Sequence, residues 1–241
     1  MNVKAIIYAI TIACLFSIVG CAGTTATDSE TYKATILYFE GGSGQIKHFS
    51  ENKLINRSSH YFRSQGIIIK YMALNLPWPS FKGFIERYSA SHFHKIQKKV
   101  NSLIEKGHSS IWLMGISMGV ISVLNAGANH IQGVEGLVVI NAPDTGLRWG
   151  ELKKIKLPIL AVTHEEDAGP LKDLSADDFK KHFKSSIRPE IVIFSGGVTG
   201  TSREANQFTQ KYQHGLRGLE QQFAQAVIDF IDANHHLQDG Q

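Results

Sequence analysis

Cysteine is nearly absent from this chain of 241 residues, whose two cysteines, Cys14 and Cys21, both stand near the N-terminus. The remainder can therefore form no disulfide framework and no cysteine zinc site, and it offers no cysteine nucleophile. We expect the stability of the folded part to come from an apolar core alone.

The chain also lacks a large excess of charge of one sign. Lysine and arginine number 25 and aspartate and glutamate 21, so the formal net charge is only +4. A nucleic-acid-binding surface is expected to show a basic run with interleaved aromatic side chains, and this sequence has no such run. Nucleic acid is therefore not an expected partner. The hydrophobic share of 43% is ordinary for a globular protein.

Long apolar runs are missing except at the N-terminus, where Lys4 is followed by the apolar stretch Ala5–Val19. A stretch of about fifteen residues is too short to span a membrane comfortably and is typical of a secretory signal. The sequence therefore predicts an exported protein.

The segment Ile18–Cys21 ends that stretch with an aliphatic residue three positions before Cys21 and a small residue directly before it. This pattern resembles the bacterial lipoprotein signal, in which the cysteine is lipidated and becomes the mature N-terminus. The resemblance implies that residues 1–20 are removed and that Cys21 attaches the protein to a membrane through lipid. Because Ala22 follows, and not an aspartate retention signal, the implied location is the outer membrane, facing the periplasm. An uncleaved anchor or an ordinary signal peptide is the alternative.

The rest of the chain is divided by composition and length. Gly23–Thr31 is small and polar, so residues 21–31 are predicted to be a flexible tether. Residues 32–234 have the length of one domain with a single good core. Residues 235–241 are predicted to be a C-terminal tail.

Within residues 32–234, short apolar runs alternate with longer amphipathic segments. The runs are rich in Ile, Val and Leu with little polar alternation, as expected of strands covered on both faces. Strands are predicted at Ala34–Phe39, Ile67–Met72, Ser110–Met114, Gly136–Ile140, Pro158–Val162 and Glu190–Phe194. Helices are predicted at Glu51–Ser64, Ser91–Lys106, Ser117–Ala128, Ala176–Lys184 and Leu216–Ala233. This alternation predicts an α/β fold with a doubly wound, mostly parallel sheet of about six strands and with functional residues at the carboxyl ends of the strands.

A glycine-flanked serine, Ser117, stands in the motif Gly115–Gly119 between the apolar run Ile111–Met114 and the apolar segment Val120–Ala126. A serine between a strand end and a helix start, with a glycine two residues to either side, is the pattern of a nucleophile elbow. The following helix start offers free N–H groups where charge develops on an attacked carbonyl. A turn that needs glycines only for its shape is the alternative.

Two further residues complete a candidate triad with Ser117. Asp167 follows the fifth predicted strand, and His214 precedes the last predicted helix. The order Ser, Asp, His is the chain order of the α/β-hydrolase triad. In that arrangement Ser117 is the nucleophile, His214 the general base and then the acid, and Asp167 orients the imidazole.

Backbone N–H groups are the expected oxyanion-stabilising donors. The amide after the nucleophile, on Met118, is one candidate, and the loop after the first strand supplies the other. That loop carries Gly41–Gly44, so Gly42 and Ser43 are the second candidates.

Taken together, Gly41–Gly44, Gly115–Gly119, Thr163–Asp167 and His214–Glu220 resemble landmarks of the α/β-hydrolase superfamily, specifically its small bacterial members. The resemblance covers the whole mature chain and implies a serine hydrolase without a cofactor or catalytic metal. Two departures stand out. The cysteine pair that similar proteins often carry near the aspartate and histidine is missing, and there is no room for the two edge strands that usually begin the sheet. The stretch Asp144–Leu157 is also too short for a lid domain.

Several polar residues compete with these assignments. Asp144 follows the fourth predicted strand, where some hydrolases place their acid, and Glu165 and Glu166 adjoin Asp167. His92 and His94 stand two apart on a predicted helix and therefore point to different faces, which predicts surface or groove positions without a metal. For His164, beside the acid loop, a structural role is the prediction.

These observations predict an exported, lipid-anchored serine hydrolase that cleaves an ester or similar acyl bond of a small-molecule substrate. A peptidase or thioesterase using the same triad is one alternative. A non-catalytic lipoprotein that keeps the fold for binding is the alternative from another class.

Overall fold

The structure is a computed structural model that describes residues 32–42, 53–74, 81–143, 149–167, 169–198 and 214–235. The chain divides into two units, Met1–Thr31 and Tyr32–Gln241, and every described residue belongs to the second. The signal, the lipidation site Cys21 and the tether therefore lie outside the described residues and stay predictions, as does the tail after His235.

A single parallel sheet forms the centre of the second unit. Its six described strands pair in the order β2-β1-β3-β4-β5-β6, with every neighbouring pair parallel. The strands are β1 (Ala34–Phe39), β2 (Ile67–Tyr71), β3 (Ile111–Ile116), β4 (Gly136–Ile140), β5 (Ile159–His164) and β6 (Pro189–Phe194). The predicted α/β class with a parallel sheet of about six strands is confirmed.

Helices cover both faces of this sheet. In chain order they are α1 (Leu54–Ser64), α2 (Phe81–Arg87), α3 (Ala90–Ile104), α4 (Gly119–Ala128), α5 (Trp149–Leu152), α6 (Ala176–His182) and α7 (Glu220–His235), with a 3-10 turn at Pro170–Asp173. The apolar residues of α1 and α7 share one core cluster, and those of α3, α4 and α6 share a second on the opposite face. Buried strands between two apolar layers explain why the strand sequences are continuously apolar.

The strand order reverses between β1 and β3, which are neighbours in the sheet although β2 separates them in sequence. The carboxyl ends of two such strands diverge to leave a crevice, which is where open α/β sheets place their ligands. The glycine loop follows β1 and the motif around Ser117 follows β3, so the fold brings both to this crevice.

The observed helices differ from the predicted ones in several places. The helix predicted from Ser117 begins at Gly119, since Ser117 has a left-handed φ of 52° that no helix tolerates. The last helix, predicted from Leu216, begins at Glu220, because Leu216 and Gly218 have φ values of 46° and 78°. Helix α2 lies in a segment for which the sequence predicts neither a helix nor a strand.

No helix within the described ranges is both long and apolar enough to cross a bilayer.

Candidate active site

Ser117 stands on a strained turn between β3 and α4. Its φ of 52° is costly for a residue with a side chain, and its N–H donates to the carbonyl of Ile140 over 2.9 Å, which fixes the turn to the end of β4. Gly119 must lack a side chain, because a Cβ there would overlap the carbonyl oxygen of Phe39 and lie 3.1 Å from that of Glu40. The hydrogen bond and the close packing therefore hold the half-buried Ser117 in this strained conformation at the crevice between β1 and β3.

The loop after β1 reaches this serine. A Cβ built on Gly41 would lie 3.1 Å from Ser117 Cβ and 3.6 Å from its Oγ, so Gly41 lies beside the candidate nucleophile and a side chain there would crowd it. Gly42 has a φ of 55° and open space where a side chain would stand. Met118 is the half-buried N-cap residue of α4. Ser43, the other candidate oxyanion donor, lies outside the described residues.

Asp167 and His214, which the sequence predicts to be an acid–base pair, are hydrogen-bonded to each other. His214 Nδ1 lies 2.7 Å from Asp167 Oδ1, and the Asp167 side chain is 1% exposed while that of His214 is 21% exposed. Since a carboxylate only accepts, Nδ1 carries the proton and Nε2 keeps its lone pair free to act as a base.

The second oxygen of Asp167 is held by the backbone of Gly169, whose N–H donates to Oδ2 over 3.0 Å. A Cβ at Gly169 would overlap the carbonyl oxygen of Ala142 and lie 2.8 Å from Oδ2, so only glycine fits here. Glu165 and Glu166 are exposed. Asp144, the rival from the fourth strand, lies outside the described residues. The geometry thus favours Asp167 over its described neighbours.

Two residues that the sequence analysis missed position the histidine segment. Asn141, buried at the end of β4, donates from Nδ2 to the carbonyl of His214 over 2.7 Å. Arg57 on α1 donates to the carbonyl of Gly215 over 2.8 Å and pairs with Glu220 at 2.5 Å. Ser117 and His214 are thereby attached to adjacent residues, Ile140 and Asn141, at one end of β4. Both contacts go to backbone oxygens, which leave no pattern in a sequence.

The structure agrees with the predictions made for His164 and His94 and contradicts the one made for His92. Buried His164 accepts from the N–H of Glu166 at Nδ1 and donates from Nε2 to the carbonyl of Gly196 at 2.9 Å, consistent with a structural role. The surface or groove prediction is wrong for His92, which is 1% exposed and hydrogen-bonded to Ser122, whereas His94 is exposed. Burial lowers the pKa of His92 to about 4, and the charges of Arg87 and Lys95 act in the same direction.

In the described part of the chain, no group of three or more His, Cys, Asp or Glu side chains is arranged to hold a metal ion. The structure places Ser117 on a strained turn beside a glycine loop, and it attaches the segment of His214, whose imidazole a carboxylate orients, to the same end of β4. These are the groups that acyl transfer through a serine requires.

Known proteins resemble this chain in structure, at low sequence identity. No protein-family model matches this chain, and neither does any curated protein. A lipase-esterase related protein from Clostridium acetobutylicum matches with a TM-score of 0.57 at 15% identity, over 83% of this chain and 96% of that one. An esterase from Pyrococcus furiosus matches with a TM-score of 0.57 at 10% identity, over 85% and 83%. Est1E from Butyrivibrio proteoclasticus with bound ferulic acid matches with a TM-score of 0.54 at 12% identity, over 88% and 92%. The fold of this chain is the α/β-hydrolase fold.

Proposed function

We propose that this protein is a serine hydrolase that cleaves an ester or similar acyl bond, with Ser117, His214 and Asp167 as its triad. The observation that carries the proposal is the 2.7 Å hydrogen bond between Asp167 Oδ1 and His214 Nδ1, formed at the same end of the sheet as the strained turn of Ser117. The fold, shared with esterases at low identity, supports it.

The proposed reaction has two halves. Ser117 Oγ attacks the substrate carbonyl while His214 Nε2 takes its proton, and Asp167 stabilises the imidazolium. Backbone N–H groups of Met118 and of the glycine loop receive the oxyanion. His214 returns the proton to the leaving alcohol, and an acyl group remains on Ser117. Water, deprotonated by the same histidine, then releases the acid and restores the serine.

We further propose that the enzyme is exported and attached by lipid on Cys21 to the outer membrane, facing the periplasm. The support is the sequence pattern Ile18–Cys21 after an apolar stretch, together with the lack of any later cysteine. Multiple acyl chains on one cysteine meet the requirement of more than one anchor for stable attachment.

The substrate class is tested with a panel of nitrophenyl esters of increasing acyl length, a nitroanilide, a thioester and methyl ferulate. The last is included because ferulic acid is bound in the structurally similar Est1E. We expect ester turnover that Ser117→Ala lowers by up to about a million-fold. Ser59→Ala, which removes an exposed hydroxyl on α1, is the matched control and should leave turnover unchanged. Undiminished turnover in Ser117→Ala, or no turnover of any substrate by the native protein, would contradict the proposal.

A further inference from the structure

Arg87, the last residue of α2, carries a buried charge that the proposed reaction does not use. Its side chain is fully buried, and a buried charge is costly unless its hydrogen bonds are well satisfied. Each of its described hydrogen bonds goes to a neutral oxygen, and Nε, within the described residues, has no partner. Core packing alone does not account for a guanidinium in this position.

Two of those hydrogen bonds reach the glycine loop. Nη2 of Arg87 lies 3.1 Å from the carbonyl oxygen of Glu40 and 3.0 Å from that of Gly42. These two carbonyls belong to the residues on either side of Gly41, where an added Cβ would lie 3.1 Å from Ser117 Cβ. The guanidinium therefore holds the short segment that the proposed mechanism needs beside the nucleophile.

The opposite side of the guanidinium is attached to α4, the helix that begins at the elbow. Nη1 donates to Ser122 Oγ over 2.8 Å, and that hydroxyl lies 2.9 Å from Nε2 of His92. Asn125, also on α4, donates to the Arg87 carbonyl over 3.1 Å. Ser122 Oγ accepts from Arg87 and keeps its own proton and a second lone pair, so it can bond Nε2 of His92 in either direction.

The charge survives this burial. Burial lowers the pKa of the Arg87 guanidinium to about 10, while the nearby Glu40 carboxylate acts to raise it. Arg87 is therefore cationic at neutral pH, and a charged donor binds a carbonyl more strongly than a neutral one.

We propose that Arg87 is a positioning residue for the hydrolytic reaction: by holding the carbonyls of Glu40 and Gly42 it sets the oxyanion-stabilising backbone against Ser117. The inference rests on the proposed function and adds to it a residue on α2, an element that carries no triad member. Arg87 acts through the loop backbone, so its removal misplaces donors that matter most when the oxyanion forms.

The test compares Arg87→Met with Arg188→Met on the ester that the native protein turns over best. Arg188 also donates to a backbone carbonyl, that of Ala233 at 3.1 Å, but it adjoins the start of β6, at the opposite end of the sheet. For Arg87→Met we expect kcat to fall by about ten- to a hundred-fold with KM within about three-fold, because oxyanion contacts are made in the transition state. Arg188→Met should keep both constants.

A second readout separates positioning from general loss of structure. A boronic acid that forms a tetrahedral adduct on a serine should lose affinity for Arg87→Met in parallel with the fall in kcat, whereas the affinity for the carboxylate product should not change. Active-site titration corrects kcat for any unfolded fraction. If Arg87→Met does not fold, Arg87→Lys, which keeps the charge but loses the fork of donors, should show a fall of about ten-fold.

Unchanged kcat in the folded Arg87 variants would overturn the inference, and so would a loss accounted for by unfolded protein or failure of both variants to fold. Any of these results, together with loss of turnover in Ser117→Ala, would leave the proposed function intact. Full turnover in Ser117→Ala would instead remove the proposed function itself.

Discussion

The tautomer of His214 depends on a single carboxylate. Asp167 Oδ1 accepts from Nδ1, and the N–H of Gly169 orients the other oxygen, so the carboxylate cannot turn away. A carboxylate that accepts at Nδ1 leaves Nε2 unprotonated, which is the form a general base needs. An amide in the same place can instead donate to Nδ1 and favour the wrong tautomer.

Asp167→Asn should therefore lower ester turnover by about ten-thousand-fold, the effect of the corresponding change in the best-studied triad. Steady-state kinetics measure it. Glu166→Gln is the matched control, because its exposed carboxylate adjoins the acid in sequence, and it should retain native turnover. A loss in Asp144→Asn comparable to that expected for Asp167→Asn would assign the acid to Asp144 instead.

The sequence indicates candidate residues that stand at a recognisable spacing, and it does not indicate side chains that act on the backbone of a distant segment. Ser117, Asp167 and His214 each follow or precede an apolar run in a recognisable order. Arg87 and Asn141 act on carbonyl oxygens of distant loops, and every residue type presents the same carbonyl. Arg87 further lies in a segment with no predicted element, so nothing in the sequence indicates that its side chain is buried.

At the scale of elements, α3 and α4 meet through a buried polar contact beside an apolar cluster. His92 on α3 is hydrogen-bonded to Ser122 on α4, and burial lowers the pKa of the imidazole from 6.5 to about 4. Folding therefore favours the neutral form. Between these two pKa values the unfolded chain binds more protons than the folded one, so the free energy of unfolding falls as pH falls from about 6.5 to about 4.

Removing this imidazole should flatten that part of the pH profile. We expect His92→Gln to be less stable than the native protein at pH 7 and to recover, relative to it, roughly 3 kcal/mol by pH 4, since each pKa unit corresponds to about 1.4 kcal/mol. Urea unfolding at several pH values measures the difference. His94→Gln, with an exposed side chain on the same helix, is the control. Parallel profiles for His92→Gln and the native protein would show that His92 is not the group responsible.

The strands were easier to predict than the helices. All six observed strands end within two residues of their predicted limits, because buried parallel strands are continuous apolar runs. β3 and β5 extend two residues further than predicted, to Ile116 and His164. Gly115 and Thr163 interrupt the apolar runs, but the backbone there still pairs with the neighbouring strands. Helix starts were wrong where a left-handed residue, such as Leu216, delays the helix.

At the scale of the whole molecule, the order of the strands explains why distant motifs meet. Motifs that follow β1 and β3 lie at one crevice because these strands are neighbours, and the segment before α7 is attached to the end of β4 through Asn141. The alternation of runs predicted the class of sheet, whereas the paths of loops, which depend on backbone contacts, could not be read from the sequence.

Attachment to the envelope is a separate property of the whole molecule. If lipid on Cys21 anchors the protein, Cys21→Ser should move it from the membrane fraction to the soluble periplasmic fraction, because the acyl chains provide the attachment. Fractionation and intact mass measure this outcome. Cys14→Ser, within the predicted signal, is the control and should leave the fractionation unchanged. A native protein without lipid mass, or a Cys21→Ser protein that stays on the membrane, would contradict the proposal.

The most direct test of the central claim, that Ser117 is an activated nucleophile, is the site at which a fluorophosphonate probe reacts. The account predicts one adduct per native chain by intact mass, located on Ser117 by fragmentation and not on Ser110 or Ser122 of the same tryptic peptide, with no adduct in Ser117→Ala. An adduct on another residue, or undiminished labelling of Ser117→Ala, would contradict it.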